Sequence, residues 1–552
     1  MKKFKSSRIF KSALAFVLAV CMFASTGAGT IQAEATSAQG IDVSKYQGAI
    51  NWAAVAASGV GYAFIKVGST NKGLDPYFAV NVRGAQAAGI RTGAYIYSYA
   101  TSVAAATQEA QLMLQWIEGY NINYPVAIDI EDTCQKGLDA NTVTAMANAF
   151  GDVISAAGYT PIIYTYTSFY SGHFTSALKY DKWIAHYSAA CGTPGYAIWQ
   201  YSSQGTVPGI SAQVDMNVAV KDYSQFIIPA GPLAYNGNVY VFNNYRRQYG
   251  WAVVGGLKYL TDTTTGVAVT NNWYVDPAGT GTYYFGPTGA ALTGAQTIGT
   301  DIYYFSADAT LYKGWITLGN YTFYFDPNNN GKLYKGWYKD ASGIKYLDAN
   351  NGSLLTGPQS IEGSIYYFGA DGYMQTGFIT ISGSKFYFGA DGKMLTGWAQ
   401  VGNGMYYFGA DGRMVTGAQT IDGKIYYFNQ EGVMQTGLVE VSGSKFYFGA
   451  DGTMQKGWVS IGNSQYYFGT TGQMQYGLVQ LADGIYGTSE TDGHKYVNEV
   501  GKIAGYDFLF DSNGRLVQNG TYTIGKTVYA TNENGVVTAT APATTATSTS
   551  KK

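Results

Sequence analysis

Tyr124-Pro125-Val126-Ala127-Ile128-Asp129-Ile130-Glu131-Asp132 is an apolar run that closes on acids. It reads as a β-strand, and alternate residues of a strand project to one face. Asp129 and Glu131 therefore point the same way, with Cα atoms roughly 6–7 Å apart from the rise per residue. An acidic pair at a strand end serves equally well as a helix cap, a salt bridge or a metal site. This stretch alone leaves those readings open.

Working outward, Ala-rich helical segments at 103–118 and 141–157 flank the strand. The same alternation runs from about residue 40 to 229. Further strands are predicted at 40–44, 62–67, 92–99, 161–167, 182–187, 197–202 and 214–220, and further helices at 52–57 and 78–88. Gly59, Gly89, Gly119 and Gly158 follow the helical segments, where a left-handed helix end favours glycine. Strand–helix alternation argues for an α/β fold with a parallel sheet, and this many strands for a barrel. The later strands have short gaps without clear helices, so the last third should be irregular.

In a parallel barrel, strand C-terminal ends face the active-site mouth. Two carboxyls there suit glycoside hydrolysis, which needs one protonated and one ionised. Like charges held close raise one pKa and so keep a proton near neutral pH. Two more acids join them. Asp42 lies on the first strand, in Gly40-Ile41-Asp42-Val43-Ser44, and Asp215 on the last, in Val214-Asp215-Met216-Asn217. If the barrel closes, these strands are neighbours and the two acids meet. An unpaired acid among Ile and Val costs stability. Several of them converging without obvious basic partners point to function. Tyr97, Tyr164, Tyr166, Tyr187 and Trp199 lie near strand ends and are candidates to line a sugar groove, although alternation must send some into the core.

From about residue 235 internal repeats dominate. Aromatic triplets such as Tyr366-Tyr367-Phe368, Phe386-Tyr387-Phe388 and Tyr406-Tyr407-Phe408 recur, most at 20-residue spacing. A turn such as Gly369-Ala370-Asp371-Gly372 follows, then a short strand closed by Thr376-Gly377. Each unit reads as a β-hairpin around a D-G turn. One hairpin is barely stable alone, so the array is expected to stack into an all-β hairpin-repeat solenoid.

Composition narrows the classes. Charged residues are 12% of the 552 and the net charge is −1, which gives no field to attract nucleic acid. The 50 Tyr and 72 Gly suit short hairpins and surfaces that touch sugars or small cations. Lys2, Lys3, Lys5, Arg8 and Lys11 precede an apolar run at 13–24, and Ala33-Glu34-Ala35 offers a cleavage site. This predicts an export signal over 1–35, too short to span a membrane. No span is expected in the mature chain. Of three cysteines, Cys21 leaves with the signal; an exterior location permits Cys134 and Cys191 to pair without requiring it. No His or Cys cluster has ligand spacing, so neither a metal nor a cofactor is expected.

The ordered pieces of residues 40–220 resemble glycoside hydrolase family 25, the lysozymes of the Chalaropsis type. They are Gly40-Ile41-Asp42-Val43-Ser44-Lys45-Tyr46-Gln47-Gly48, Phe64-Ile65-Lys66, Gly93-Ala94-Tyr95, Asp129-Ile130-Glu131, Trp183-Ile184-Ala185, Ile198-Trp199-Gln200-Tyr201-Ser202 and Val214-Asp215-Met216-Asn217. The resemblance implies an irregular TIM-like (β/α)5(β)3 barrel. It implies cleavage of the β-1,4 bond between N-acetylmuramic acid and N-acetylglucosamine in peptidoglycan. By position Glu131 is the general acid. Asp129 acts beside it, stabilising the transition state or helping the substrate's N-acetyl group attack, and Asp42 and Asp215 orient the site.

The repeats resemble the cell-wall-binding repeats of choline-binding proteins, in which rings cage a quaternary ammonium. The cage tryptophan is present at Trp315, Trp337, Trp398 and Trp458, with Tyr407 and Tyr467 as ring partners, but is replaced by Ala295, Pro358, Phe378, Ala418, Leu438 and Leu478. Choline-bearing teichoic acid and a wall glycan are therefore equal candidates as ligand. The expected organisation is signal 1–35, catalytic domain 36–229, degenerate repeats or linker 230–282, binding repeats 283–480, degenerate terminal repeats 481–540 and a disordered tail 541–552. The protein is expected to be secreted and wall-associated. The rivals are an inactive wall-binding or adhesion protein, and a hydrolase of another N-acetylated polysaccharide such as chitin.

Overall fold

The computed structural model describes residues 38–543. The expected export signal and Cys21 lie outside the described residues. The chain divides into two compact units, with the boundary in the sequence between Tyr334 and Lys335.

The first unit opens with a barrel. Its strands are β1 (Gln39–Val43), β2 (Val60–Ser69), β3 (Gly73–Leu74), β4 (Arg91–Tyr97), β5 (Val126–Asp129), β6 (Pro161–Tyr166), β7 (Asp181–Ala185), β8 (Ile198–Gly205) and β9 (Val214–Ala219). Helices α1 (Trp52–Ala57), α2 (Phe78–Ala87), α3 (Val103–Trp116), α4 (Ala140–Ala156) and α5 (Thr167–His173) follow β1, β3, β4, β5 and β6. β3 merely extends the edge of β2. The other eight close a ring, β1-β2-β4-β5-β6-β7-β8-β9, with β9 pairing back to β1. β9 runs antiparallel to both neighbours, which needs no helical crossover. This is the (β/α)5(β)3 arrangement: five helix-linked strands, then three without helices.

All eight predicted strands overlap barrel strands. α5 was not anticipated, because Thr-Ser-Phe-Tyr-Ser-Gly-His is short and lacks strong helix formers. The predicted glycine ends are left-handed, with φ of +92°, +78°, +79° and +86° at Gly59, Gly89, Gly119 and Gly158.

Strand alternation divides the core in two. Outward residues such as Ile65, Val67, Ala94, Ile96, Val126 and Ile128 are buried beneath the helices. Inward residues Tyr62, Phe64, Tyr124, Tyr164 and Trp183 fill one end of the barrel, with Phe64 stacked on Trp183 at 4.2 Å. Two glycines make room for these rings. A Cβ on Gly40 would lie 2.2 Å from the Tyr62 ring, and one on Gly93 2.6 Å from Phe64. Rings fill the interior from one end, so the other is left for polar side chains.

The first hairpins pack on the barrel. Arg247 N–H donates to the Gly158 carbonyl at 2.8 Å and Tyr249 Oη to the Ser155 carbonyl at 3.0 Å.

The repeats are hairpins, and the D-G turn folds the chain back as expected, pairing Phe368 with Met374 through one antiparallel bridge, but the longer hairpin of each unit is closed by another turn. Gly357–Ile361 pairs with Ser364–Phe368 across Glu362-Gly363, and Gly377–Ile381 with Ser384–Phe388 across Ser382-Gly383. Both central residues have positive φ, +50° and +80° in each case. Such two-residue turns match the twist of the paired strands. The D-G turn instead follows the hairpin. Asp371 accepts the Tyr373 N–H, and Met374 N–H then donates to the Ile344 carbonyl of the preceding hairpin at 2.7 Å. It thus links units as well as folding the chain back on its own triplet strand. The last triplet ring, Phe368, Phe388, Phe408, Phe428, Phe448 or Phe468, is buried every time. At the far end Val537–Pro542 is a strand, so the first two residues of the expected tail are paired; residues 544–552 lie outside the described residues. Among the described residues no helix is long and apolar enough to cross a membrane.

Candidate active site

Asp42 on β1 and Asp215 on β9 are direct partners across the antiparallel pair. Asp42 Oδ2 accepts from Gln200 Nε2 at 2.9 Å and from Asn217 Nδ2 at 2.7 Å. Both amides are locked in one orientation. Trp183 Nε1, which can only donate, reaches Asn217 Oδ1 at 2.7 Å. The Tyr164 and Tyr187 hydroxyls donate to Gln200 Oε1 at 3.0 and 2.8 Å. Oδ2 of Asp42 is therefore an acceptor twice over. Any proton on this carboxyl sits on its other oxygen, within hydrogen-bonding reach of Asp215. Burial holds Asp42 well above the usual carboxylate range and the Asp215 charge adds to it, while the two amides pull it back.

Asp129 ends β5, buried between Tyr97 of β4 and Tyr164 of β6. Its Oδ1 has no hydrogen-bond partner. Burial first, then the charge of Glu131, hold its pKa well up; Lys66 opposes both. Lys66 projects inward from β2, its Nζ 4.8 Å from the centre of the Tyr97 ring. The acids thus do have a basic partner, contrary to the sequence expectation.

Glu131 lies past the end of β5, so it projects from a loop rather than from the strand. The loop is tightly held. Ile130 N–H donates to the Tyr164 carbonyl at 3.0 Å. Asp132, not the acidic pair, is the cap: its Oδ1 accepts from Cys134 N at 2.9 Å and its Oδ2 from Tyr97 Oη at 3.1 Å. Buried Gln135 donates to Ser98 Oγ at 3.2 Å, and Ser98 to the buried Glu109 at 2.6 Å. Glu131 is half-buried and lines a cleft of about 500 Å³ with Tyr164, Tyr166, His186 and Tyr187. Burial raises its pKa and Asp215 adds to this, against the pull of Lys66. A carboxyl whose pKa is raised by burial beside an open cleft suits a general acid.

The five candidate aromatics separate. Tyr164, Tyr166 and Tyr187 line the cleft. Tyr97 packs beside it on Lys66. Trp199 has the opposite strand parity to Ile198 and Gln200; its Nε1 is tied to the His186 carbonyl at 2.8 Å, and it leans on Tyr201. Sequence reasoning missed Gln200, Asn217, Lys66 and His186. The signal for the first three was strand parity: Asn217 shares a face with Asp215, and Lys66 with Tyr62 and Phe64. Cys134 and Cys191 are both free.

In the repeats, three-ring boxes form at Trp337 (Tyr346, Tyr366), Trp398 (Tyr407, Tyr426) and Trp458 (Tyr467, Tyr486). Trp315 lies against Tyr324 at 4.7 Å. Further boxes were not anticipated, at Trp251 (Tyr274, Tyr283), at Trp273 (Tyr284, Tyr303) and at Phe378 (Tyr387, Tyr406).

Comparison with known proteins accords with both regions. Residues 41–210 match glycosyl hydrolases family 25. Residues 312–356, 355–395, 375–416, 395–435 and 415–454 match the choline-binding repeat, and 456–474 a cell wall binding repeat. Lysozyme M1 of Streptomyces globisporus is 32% identical over 202 residues, 34% of this chain and 68% of its own. The autolytic lysozyme of Clostridium acetobutylicum is 31% identical over 196 residues, 35% of this chain and 58% of its own. The uncharacterized protein YegX of Escherichia coli O157:H7 is 34% identical over 192 residues, 32% of this chain and 68% of its own. The chain belongs to glycosyl hydrolases family 25, its barrel followed by choline-binding repeats of the cell-wall-binding kind.

Proposed function

We propose that the chain is a secreted N-acetylmuramidase, held on the cell wall by its repeats, that cleaves the β-1,4 bond between N-acetylmuramic acid and N-acetylglucosamine in peptidoglycan. The observation that carries this reading is Glu131, a carboxyl with a raised pKa at an open cleft, backed by three further acids in the barrel mouth. Glu131 donates its proton to the glycosidic oxygen as the bond to the anomeric carbon breaks. Asp129 stands beside it with a buried, unpartnered Oδ1. That oxygen suits an acceptor for the N–H of the substrate's 2-acetamido group, whose carbonyl oxygen attacks the anomeric carbon as that bond breaks; water then adds at the anomeric carbon, the cyclic intermediate opens, and the water's proton returns to Glu131. Asp42, fixed by the two amides, and Asp215 beside it orient the floor of the site. The basic, apolar N-terminal run supports export. The ring boxes suit a quaternary ammonium such as choline on a wall polymer, and several weak sites on one polymer raise the local concentration of the barrel there.

Mass spectrometry of products from purified peptidoglycan and from chitin tests the reading. Fragments with reducing N-acetylmuramic acid ends are expected, together with loss of nearly all activity in a folded Glu131→Gln variant. Reducing N-acetylglucosamine ends, or cleavage of chitin alone, would overturn the bond assignment. Turnover like wild type in Glu131→Gln would overturn the acid.

A further inference from the structure

The residue two after the turn glycine, which ties one repeat to the preceding hairpin, is Met374, Met394, Met414, Met434, Met454 and Met474 in six successive units. The next unit keeps the bond and changes the residue: Lys495 N–H donates to the Gln465 carbonyl at 2.7 Å, as Met434 does to Met405 at 2.8 Å. The unit after that is apolar again, with Leu516. Lys495 also fills the same slot as its methionine counterparts. A Cβ on Gly493 would meet Met474 Sδ at 2.5 Å, and one on Gly514 would meet Lys495 Cε at 2.4 Å.

The hairpins so tied carry equivalent ring boxes. Trp398 lies 5.1 and 4.8 Å from Tyr407 and Tyr426, and Trp458 lies 5.0 and 5.4 Å from Tyr467 and Tyr486. Replacing the methionine by lysine puts a cation at the second box. Lys495 Nζ stands 4.6 Å from the centre of the Trp458 ring and 4.8 Å from that of Tyr486. Both distances are within the range of cation–π attraction. No lysine or arginine stands over Trp398 among the described residues. Lys258, at a different register, does the same over Trp251 and Tyr283, at 5.1 and 4.7 Å.

We propose that Lys495 is a built-in occupant of the Trp458 box, which closes it to external cations, whereas the Trp398 box is open to a quaternary ammonium. The second half rests on the proposed reading of the repeats as ammonium binders; the first does not. An arriving ammonium would have to displace a tethered one already neighbouring the rings, and would meet its positive charge. The repeats thus contain sites of one architecture and two states.

Two measurements on the full-length protein separate the halves. The first is amine acylation followed by mass spectrometry. Lys495 should react more slowly than Lys502, whose side chain is 71% exposed, and Trp458→Ala should speed it up. Equal rates, or no effect of Trp458→Ala, would overturn the occupancy. The second is equilibrium dialysis with choline chloride. Trp398→Ala should lose one bound equivalent. Lys495→Met should gain one, and Lys495→Met with Trp458→Ala should lose that gain. If Lys495→Met adds no site while Trp398→Ala removes one, the closure is overturned. If the wild type binds no choline and Lys495 is protected, the ammonium reading of the open boxes falls and the occupancy stands.

Discussion

Asp42→Asn should make the barrel more stable at neutral pH while impairing hydrolysis. The replacement is isosteric, and its amide oxygen can accept from Gln200 and Asn217 as Asp42 Oδ2 does at 2.9 and 2.7 Å. Its amide N–H group can donate to Asp215, which lies within hydrogen-bonding reach of the other Asp42 oxygen. No buried hydrogen bond is lost; only the charge is. Burial raises the folded-state pKa of Asp42 above its unfolded value of about 3.9. Below about pH 4 both states hold the proton and wild type and variant should be equal. As pH rises from there towards the folded value, the unfolded state has released a proton that the folded state still binds. Wild type then loses about 1.4 kcal/mol per pH unit that the variant keeps. Above the folded value the gap stays constant. Because Asp42 and Asp215 titrate as a pair, the measured slope belongs to both. Urea unfolding of the full chain at several pH values from 4 to 7, with hydrogen exchange read on peptides of β1 and β9, gives the gap. A variant less stable than wild type at pH 7, or a gap that does not grow with pH, would refute the reasoning.

Two further outcomes follow from the same geometry. Lys66→Met removes the one nearby charge that lowers both Asp129 and Glu131, so the high-pH limb of the kcat/KM profile should move up; an unmoved or lowered limb would contradict the electrostatic role of Lys66. Gly40→Ala places a Cβ 2.2 Å from the Tyr62 ring; overpacking of this kind costs about 1–3 kcal/mol, to be read as a lower unfolding midpoint, and a neutral effect would mean that the ring can move aside.

What the sequence made legible was parity. Alternation in Val126–Asp129 and its counterparts located all eight barrel strands, and it put Asp42, Asp129 and Asp215 on inward faces. What it could not supply was register. Whether Lys66 reaches the acids depends on how β2 slides against β4, and one chain's alternation says nothing about its neighbour's. The amide lock on Asp42 was hidden for the same reason, since Gln200, Asn217 and Trp183 come from three strands. Glu131 was assigned to the strand because Ile130 continues the apolar run, yet the ladder stops where Asp132 begins to cap the next turn. In the repeats, D-G drew the hairpin assignment because it is a strong turn signal. That turn does fold each triplet back on the next short strand, but the turns of the longer hairpins, Glu362-Gly363 and Ser382-Gly383, are weaker signals that the pairing of five-residue strands imposes.

The ring of strands is closed by β1 against β9, whose paired acids are 173 positions apart in the sequence (215 − 42). The floor of the cleft is therefore a seam between the start and the finish of the barrel's own chain. A nascent chain that has made every earlier strand still has an incomplete floor: Asp42 without Asp215 or Asn217. Long-range closures of this kind form against a large loop entropy. Competence to cut should consequently arrive with the last strand, as an all-or-none event, and a chain halted or clipped before Val214 should be inert however well its first strands have folded.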